Sequence, residues 1–219
     1  MTEPVRALVA HAALRANADR LRAAGAVYAD LRRDAWGHGL AACAETVTAA
    51  GLRVLVDAGA LSAGAVTLAP GAEIAEPRTL WGLPGGDGRP VLSLVGRLLS
   101  TKTLRAGEGV SYGYTFRAAR DTVVGLVAGG YAQGVVREVG NRAWVRVGAH
   151  RLPIVGRVAM DACVIELGDA HAAPGADVVF FGDPGRGEPS LAGWEAATGM
   201  RAAEMVSLAG ARASREDVR

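Results

Sequence analysis

Four short stretches of the sequence combine residue types that can act on a small molecule. In chain order they are LRRDAWGHGL at 31–40, GEGVSYG at 107–113, GGYAQG at 129–134 and PIVGRVAMD at 153–161. A tyrosine can abstract a proton near neutral pH only beside a positive charge or a base, because a phenol ordinarily has a pKa of about 10. Tyr131 is therefore a candidate base only if the fold supplies such a neighbour.

Amine chemistry is confined to one side chain. Lys102 is the single lysine among 24 basic residues, and the others are arginines. A Schiff base with a carbonyl cofactor needs a primary amine. An arginine, whose pKa exceeds about 12, is neither a nucleophile nor a usable base. Lys102 lies in the stretch STKTL, where we interpret it as a solvent-exposed strand residue.

Composition excludes several classes of protein. The net charge of +2 and the absence of a run of five like charges argue against a nucleic-acid partner. Cys43 and Cys163 lie far apart and form no CxxC, and the four histidines show no metal-ligand spacing, so no metal site is expected. No stretch of 18 apolar residues exists, so no membrane span is expected. The start of the sequence shows no long apolar run, which predicts a cytoplasmic protein.

The elements that must position these residues differ between the two halves of the chain. Periodicity in the first half predicts strand, helix, strand, helix and strand in turn, at 5–9, 12–23, 26–31, 40–50 and 52–56. That alternation is typical of a parallel βα unit. The pattern stops at 58–90, although LWGL at 80–83 could form a fourth strand. The run GGDGRP at 85–90 favours a linker over a phosphate loop, since a strand follows it.

From Val91 onward the sequence predicts an all-β domain. Short β-branched runs, separated by Gly, Asn, Asp and Pro, occupy 122–128, 143–147, 153–159, 162–167 and 177–181. A hairpin turning at Gly148–Ala149 and a short late helix at 190–198, with Ser190 as N-cap, complete the pattern. Evenly spaced short strands are typical of a small barrel or sandwich.

The four stretches, in their order, resemble the motifs of the PLP-dependent alanine racemases. PIVGRVAMD resembles the family's P-I-V-G-R-V-C-M-D, and GGYAQG resembles its G-Y-A-D-G, with Gln133 in place of the acid. LRRDAWGHGL resembles its K-A-D-A-Y-G-H-G, but Arg32 stands at the position of the Schiff-base lysine and Trp36 at that of the tyrosine. The resemblance covers about 90–210 well and 5–50 in part, and it fails between about 58 and 83.

The resemblance implies roles for particular residues. Tyr131 matches the family's catalytic tyrosine base, and Met160, followed by Asp161, matches the position that holds the substrate carboxylate through a backbone N–H. Trp36 matches a cofactor-binding position, while Arg32 matches the lysine and is not expected to function. Each position also has a plainer interpretation: Tyr131 as an aromatic at a turn, Met160 as core packing, and Asp161 as a hydrogen bonder at a strand end. His38 is interpreted as a packing histidine.

The resemblance also implies a fold. The expected class is α+β, with a partial (β/α) barrel fragment at the N-terminus followed by an all-β alanine-racemase-like C-terminal barrel domain. The expected division is 1–83 for the truncated βα region, 84–90 for a linker and 91–219 for the β-domain. A complete (β/α)₈ barrel needs about 250 residues, so the middle of the barrel is expected to be missing.

Two functions remain open from the sequence. The first is a racemase-like protein that has lost catalysis and serves as a dimerisation or binding module, with no covalently bound PLP. The second is an amino-acid racemase that acts on a small amino acid only with a complementing full-length chain. The family's head-to-tail dimers imply either a homodimer or a heterodimer with a full-length racemase. Neither interpretation involves a nucleic acid or a membrane.

Overall fold

The computed structural model describes residues 5–57, Gly59 and 73–218. Six helical segments lie in these ranges: α1 (His11–Ala23), α2 (Arg32–Trp36), α3 (Leu40–Ala49), α4 (Pro77–Trp81), α5 (Leu191–Thr198) and α6 (Ala202–Arg212). The strands there are β1 (Arg6–Ala10), β2 (Tyr28–Asp30), β3 (Arg53–Leu55), β4 (Leu92–Leu104), β5 (Gly109–Val110), β6 (Phe116–Arg117), β7 (Thr122–Ala128), β8 (Trp144–Val147), β9 (His150–Val155), β10 (Ala162–Glu166), β11 (Asp177–Phe181) and β12 (Ser214–Val218).

A closed antiparallel barrel of six strands forms the second half of the chain. Its order is β4-β7-β10-β9-β8-β11, and β11 pairs back onto β4 to close the ring. Closure removes the free edges that an open sheet would expose. The hairpin predicted at Gly148–Ala149 is confirmed, because Val147 pairs with His150 across that turn. Of the two predicted architectures, barrel or sandwich, the barrel is confirmed, and two helices, α5 and α6, follow it.

The first strand joins this sheet rather than a parallel unit. β1 runs antiparallel to β4, with Ala7 opposite Leu94, and parallel to β12, with Leu8 opposite Glu216. Ala7 and Val9 are fully buried on the inner face. The expectation that residues 5–9 belong to the same parallel sheet as the two following strands is wrong. The competing partner lies more than 80 residues away in β4 and gives no local signal.

A small parallel sheet does form from the next two predicted strands. Tyr28, Ala29 and Asp30 of β2 pair in register with the three residues of β3. The other edge of β2 meets the segment around Ile74, through a hydrogen bond of 2.6 Å from the N–H of Ala75 to the carbonyl of Tyr28. β2 is therefore central, with a parallel neighbour on each side.

The helices pack against both sheets and share one hydrophobic core with them. α1 and α3 occupy the positions predicted from periodicity, and α5 begins at Ser190, whose Oγ accepts a hydrogen bond from the N–H of Gly193. Trp194 of α5 packs edge-on against Phe181, with ring centroids 5.1 Å apart. Helix α6 was not predicted from periodicity.

The fourth predicted strand is absent from its expected place. LWGL at 80–83 forms the end of α4 and a turn, because Glu76 caps this helix by accepting from the N–H of Thr79 at 2.7 Å and Pro77 occupies its first position. Residues 82–90 then pack tightly on α1. The Asn17 amide donates to the carbonyl of Arg89 at 2.8 Å and accepts from its N–H at 2.8 Å.

Candidate functional site

The two most specific motifs of the sequence form adjoining turns. Tyr131–Gln133 is a short 3₁₀ turn after β7, and residues 156–161 form the turn before β10. The N–H groups of Gly129, Tyr131 and Ala132 donate to the carbonyls of Asp161, Ala159 and Met160 at 3.0, 3.1 and 2.9 Å. The fold therefore brings together the two motifs that the sequence singled out, which we call the Tyr131 turn and the Met160 turn.

Contact between these turns requires a residue without a side chain. A Cβ built on Gly130 would lie 2.2 Å from the Met160 carbonyl oxygen and 2.4 Å from that of Ala159. The Gln133 side chain completes the junction, because its Oε1 accepts from the N–H of Gly130 at 3.1 Å while its Nε2 donates to Asp161 at 2.9 Å. Asp161 thus acts as a hydrogen-bond acceptor at the start of β10.

The Tyr131 ring is partly buried beside positive charge. The guanidinium carbon of Arg137 lies 5.4 Å from the centre of the ring, and Arg212 donates to the Tyr131 carbonyl at 2.8 Å. A cation in this position attracts the negative face of an aromatic ring. Met160 is 54% exposed, so its packing against the core, one of the two interpretations of this residue, is wrong.

The DAWGHG stretch adopts a backbone that sequence reasoning missed. Arg33, Asp34, Ala35 and Trp36 all have positive φ, between 53° and 58°, so α2 is a left-handed turn. Such a run is costly for residues with side chains. The turn is held in place by several contacts. The N–H of Arg33 donates to the Asp57 carboxylate at 2.7 Å, and the N–H of Leu40 donates to that of Asp34 at 2.8 Å.

Arg32, which the sequence resemblance matched to the family's lysine, is engaged in an ion pair. Its Nε and one terminal nitrogen donate to the two oxygens of Asp30 at 2.8 and 2.6 Å. The side-chain hydrogen bond from Arg32 holds the pKa of the Asp30 carboxyl below its ordinary value, and the pKa of Arg32 is raised in return. Arg32 thus carries a permanent charge at the end of β2.

His38 is a packing residue, as interpreted from the sequence. It is fully buried and stacks on Trp81, with ring centroids 4.3 Å apart and planes 18° from parallel. Burial lowers the pKa of His38 to about 4, so the ring is neutral near pH 7. Its Nδ1 lies 2.9 Å from the carbonyl of Ala35, which places its proton on that nitrogen.

Helix α6 joins the left-handed turn to the Tyr131 turn. Ser207 donates to the carbonyl of Trp36 at 3.2 Å, and a Cβ on Gly210 would lie 1.9 Å from the carbonyl oxygen of Gly37. Two residues after Gly210, at the C-terminal end of the helix, Arg212 donates to the carbonyl of Tyr131. The structure thus links regions separated by almost 100 residues in sequence through a helix that the sequence did not predict.

A cleft of about 590 Å³ lies beside Trp36, which the sequence resemblance predicted to be a cofactor-binding residue. Arg78 and Arg201 supply positive charge there, while Glu76 and Glu195 supply negative charge. Both carboxylates are already used by backbone N–H groups, those of Thr79 and Ala202, at 2.7 Å each. These side chains can bind a small polar molecule by ion pairing, but none is an amine that could bond covalently to a carbonyl cofactor.

The other candidate residues lie elsewhere. Lys102 is exposed on β4, opposite Val124, and lines a separate shallow hollow with Tyr114 and Glu108. Burial raises the pKa of both Cys43 and Cys163 to about 12, which makes these thiols unreactive. Within the described ranges no group of three or more His, Cys, Asp or Glu could hold a metal ion. None of the helices in those ranges is long and apolar enough to cross a membrane.

Comparison with known proteins gives the same family for the barrel. Residues 91–217 match the family model described as the alanine racemase C-terminal domain. The alanine racemase of Frankia casuarinae is 40% identical over 151 residues, which span 69% of this chain and 38% of that protein. The alanine racemase of Streptomyces coelicolor is 39% identical over 135 residues, spanning 61% and 34% respectively. The chain therefore covers under two fifths of these relatives.

Solved structures share the fold. The alanine racemase from Streptomyces coelicolor A3(2) aligns with a TM-score of 0.81 at 23% identity, over 99% of this chain and 98% of that one. Alanine racemase from Bartonella henselae with covalently bound pyridoxal phosphate aligns with a TM-score of 0.79 at 15% identity, over 99% and 100%. A closed barrel of this topology with adjoining Tyr131 and Met160 turns is that of a racemase-type C-terminal domain. The chain belongs to the alanine racemase family.

Proposed function

We propose that this chain is an alanine racemase relative that does not catalyse racemisation alone and serves as a dimerisation or binding module. The observation that carries the proposal is the ion pair of Arg32 with Asp30. Members of this family depend on PLP, and a Schiff base with PLP needs an amine. Arg32 stands where the family's motif has that amine, and its guanidinium is committed to a carboxylate.

The described residues do not fit covalently held PLP. The sole lysine, Lys102, is exposed on β4 and does not line the cleft beside Trp36. That cleft offers arginines and carboxylates, which could bind a charged molecule reversibly. We derive no catalytic step through the cofactor and assign Arg32 a structural role at the end of β2.

A shortened barrel supports the same proposal. β3, β2 and the segment around Ile74 are three neighbouring parallel strands, and residues 56–73 connect the outer two. A complete (β/α)₈ barrel takes about 250 residues, and this connection is too short for five further strands with their helices. The alignment with the Streptomyces coelicolor structure spans both chains almost fully, which favours an internal loss. The division into 1–83, 84–90 and 91–219 would then apply, except that β1 lies in the sheet of the β-domain.

Incubation with PLP, borohydride reduction and peptide mass analysis test this proposal. The wild-type protein is expected to give no internal-aldimine absorption band and no adduct at residue 32. Lys102→Arg removes the only side-chain amine and serves as the background control, and Arg32→Lys in that variant tests the site itself. A stable band in the wild-type protein, with PLP fixed on Lys102 and racemase activity, would overturn the proposal.

A second function is favoured by the Tyr131 and Met160 turns. Met160 is 54% exposed and the Tyr131 turn beside it is rigidly built, so both could complete an active site on another chain. In this alternative the protein pairs with a full-length racemase and supplies Tyr131, and the substrate is a small amino acid.

Mixing experiments separate the two functions. The partner would be a full-length alanine racemase whose own catalytic tyrosine has been replaced by phenylalanine, and light scattering would report the assembly. Recovered racemase activity that Tyr131→Phe abolishes would support complementation. A mixed complex without activity, or a homodimer alone, would leave the non-catalytic module.

A further inference from the structure

The last described strand, β12, is held by charge rather than by packing. Every residue of Ser214–Val218 is exposed, so the strand buries no apolar side chain. Its backbone pairs with β1, and the N–H of Ser214 donates to the carbonyl of Val5 at 2.8 Å. The remaining attachment comes from charged side chains.

Alternate residues of β12 point to the same face and contact the helical layer. Side chains two residues apart on a strand share a face. Arg215 forms an ion pair with Asp34 of the left-handed turn and also donates to the carbonyl of Gly37 at 3.3 Å. Asp217 accepts from Nε2 of His11, the first residue of α1, at 2.8 Å. Two ionic contacts thus fasten the strand to α1 and α2.

The hydrogen bonds around His11 fit a doubly protonated ring. Its Nδ1 lies 2.7 Å from the hydroxyl of Thr46, and that hydroxyl donates its proton to the carbonyl of Ala42 at 3.0 Å. Thr46 therefore accepts from Nδ1–H. Asp217, as a carboxylate, accepts from Nε2–H. Since the Thr46 hydroxyl donates its proton to Ala42, the ring does not activate this hydroxyl as a nucleophile. The Asp–His–Thr chain holds β12 to the helices instead.

Other charges near His11 are engaged elsewhere. On α1 the next cation, Arg15, pairs with Asp19, and on β1 Arg6 pairs with Asp177. On β12, Glu216 points to the opposite face, toward Arg6, and Arg215 is held by Asp34. From α3 the facing groups are Thr46, which is uncharged, and the buried thiol of Cys43. Asp217 is the charged group in contact with the His11 ring within the described ranges.

We propose that His11 and Asp217 form a proton-dependent clasp that fastens β12 across β1 and onto the left-handed turn. When His11 is neutral with its proton on Nε2, the bond to Asp217 loses its positive charge and Nδ1 can no longer donate to Thr46. The ion pair is then lost, together with either the contact from Nδ1 to Thr46 or the bond from the Thr46 hydroxyl to the carbonyl of Ala42. The clasp is complete when His11 is protonated, and it weakens when the ring loses its second proton as pH rises.

Release of β12 has two structural consequences. The edge of β1 loses its parallel neighbour and presents free backbone groups, which makes it a place where another strand could pair. Arg215 also leaves Asp34 and Gly37, so the left-handed turn that carries Trp36 loses a support. The clasp therefore couples the protonation of one histidine to the rigidity of the candidate cleft.

Hydrogen exchange measured by mass spectrometry tests the clasp. The protection factors of the β12 amides, corrected for intrinsic exchange, should fall roughly two- to fivefold between about pH 5.5 and about pH 8, as befits a partly exposed ion pair. His11→Gln can still donate to Asp217 but does not titrate, so its protection factors should not change with pH in this way. His150→Gln, an exposed histidine on β9, is the matched control and should behave as wild type.

Two further readouts keep the proposal testable if a variant folds poorly. Arg215→Gln should lower protection of β12 at every pH yet retain the pH dependence, since the two contacts are separate. In the wild-type protein, ¹H–¹⁵N correlations of the His11 ring should show both nitrogens protonated under the conditions in which β12 is best protected. Protection of β12 that is independent of pH, or that changes equally in His11→Gln, would overturn the proposal.

Discussion

Gln133 donates from Nε2 to Oδ1 of Asp161 at 2.9 Å and accepts at Oε1 from the N–H of Gly130 at 3.1 Å. One amide therefore satisfies a carboxylate and a backbone donor at the same time. A carboxylate at position 133, as in the family's G-Y-A-D-G, could not donate to an ionised Asp161. This bond makes the Tyr131 and Met160 turns a single rigid unit in this chain.

Replacing Gln133 with glutamate should weaken that unit. Gln133→Glu keeps the shape but removes the donor and places two carboxylates in contact, and we expect a loss of about 1–2 kcal/mol in the free energy of unfolding at pH 7. Urea titrations at pH 7 and about pH 4 would measure it, and the defect should shrink at the lower pH as carboxyls protonate. Gln133→Ala, which lacks the added charge, should show a defect that does not shrink. Equal pH profiles for the two variants would contradict the prediction.

Gly210 should be intolerant of any side chain. Its Cβ would lie 1.9 Å from the carbonyl oxygen of Gly37, so Gly210→Ala must separate α6 from the left-handed turn, and we expect a cost of about 1–3 kcal/mol. Gly193, within α5, is the matched control, because its Cβ would meet only the Ser190 Oγ at 3.4 Å. Gly193→Ala should be neutral or stabilise by up to about 1 kcal/mol. Thermal unfolding of both variants measures these changes in stability. A Gly210→Ala variant as stable as the wild-type protein would mean that α6 and the left-handed turn are not in contact.

Stability should fall in mild acid because His38 is buried as a neutral ring. Its pKa is lowered to about 4 in the folded protein, below the ordinary histidine value, so the unfolded chain binds the proton more readily. The stabilisation is complete above roughly pH 6.5 and is lost as pH falls toward 4, by up to about 3 kcal/mol. Chemical denaturation from pH 7 to about pH 4.5 measures how steeply the free energy of unfolding falls with pH.

In His38→Gln the free energy of unfolding should fall less steeply with decreasing pH, because the buried histidine is gone. His150→Gln, at an exposed site, should show the pH dependence of the wild-type protein. An unaltered slope in His38→Gln would show that other groups set the acid stability. Fluorescence of Trp81, which stacks on the His38 ring, offers a local signal of the protonation of His38.

The pair of Asp30 with Arg32 should contribute modestly to stability. Arg32 is 57% exposed in its side chain, so a double-mutant cycle with Asp30→Asn and Arg32→Gln should give a coupling of about 1 kcal/mol or less. Because the pKa of Asp30 is lowered in the fold, this coupling is fully present above the ordinary aspartate range and is lost as pH falls through the lowered pKa. A coupling that does not decrease in acid would contradict the assignment.

Local sequence patterns were sufficient for elements whose signals are local. Periodicity and turn chemistry predict α1, α3 and the hairpin at Gly148–Ala149. Ser190 predicts the start of α5, because its side chain caps that helix. Motif resemblance identified the Tyr131 and Met160 turns, but their mutual contact depends on backbone hydrogen bonds between residues about 30 positions apart.

Features that depend on distant partners escaped prediction. β1 looks like the start of a parallel unit, but its partners are β4 and β12. The left-handed turn at Arg33–Trp36 has ordinary side chains and is stabilised from outside, by Asp57, Arg215 and α6. Propensity cannot reveal a conformation that tertiary contacts impose. LWGL at 80–83 is another example: it was a candidate strand, but it ends a helix that Glu76 caps.

The pairing of β1 between β4 and β12 has a consequence for synthesis of the protein. Arg6 aligns with Ser214, so β1 acquires this neighbour only after more than 200 further residues have been added. At a translation rate of about 5–20 residues per second, the edge of β1 stays open for roughly ten seconds or more. Contacts of such wide sequence separation also slow folding. The nascent chain therefore passes through a period in which a chaperone that covers β1 would protect it from pairing with a neighbour on the same messenger RNA.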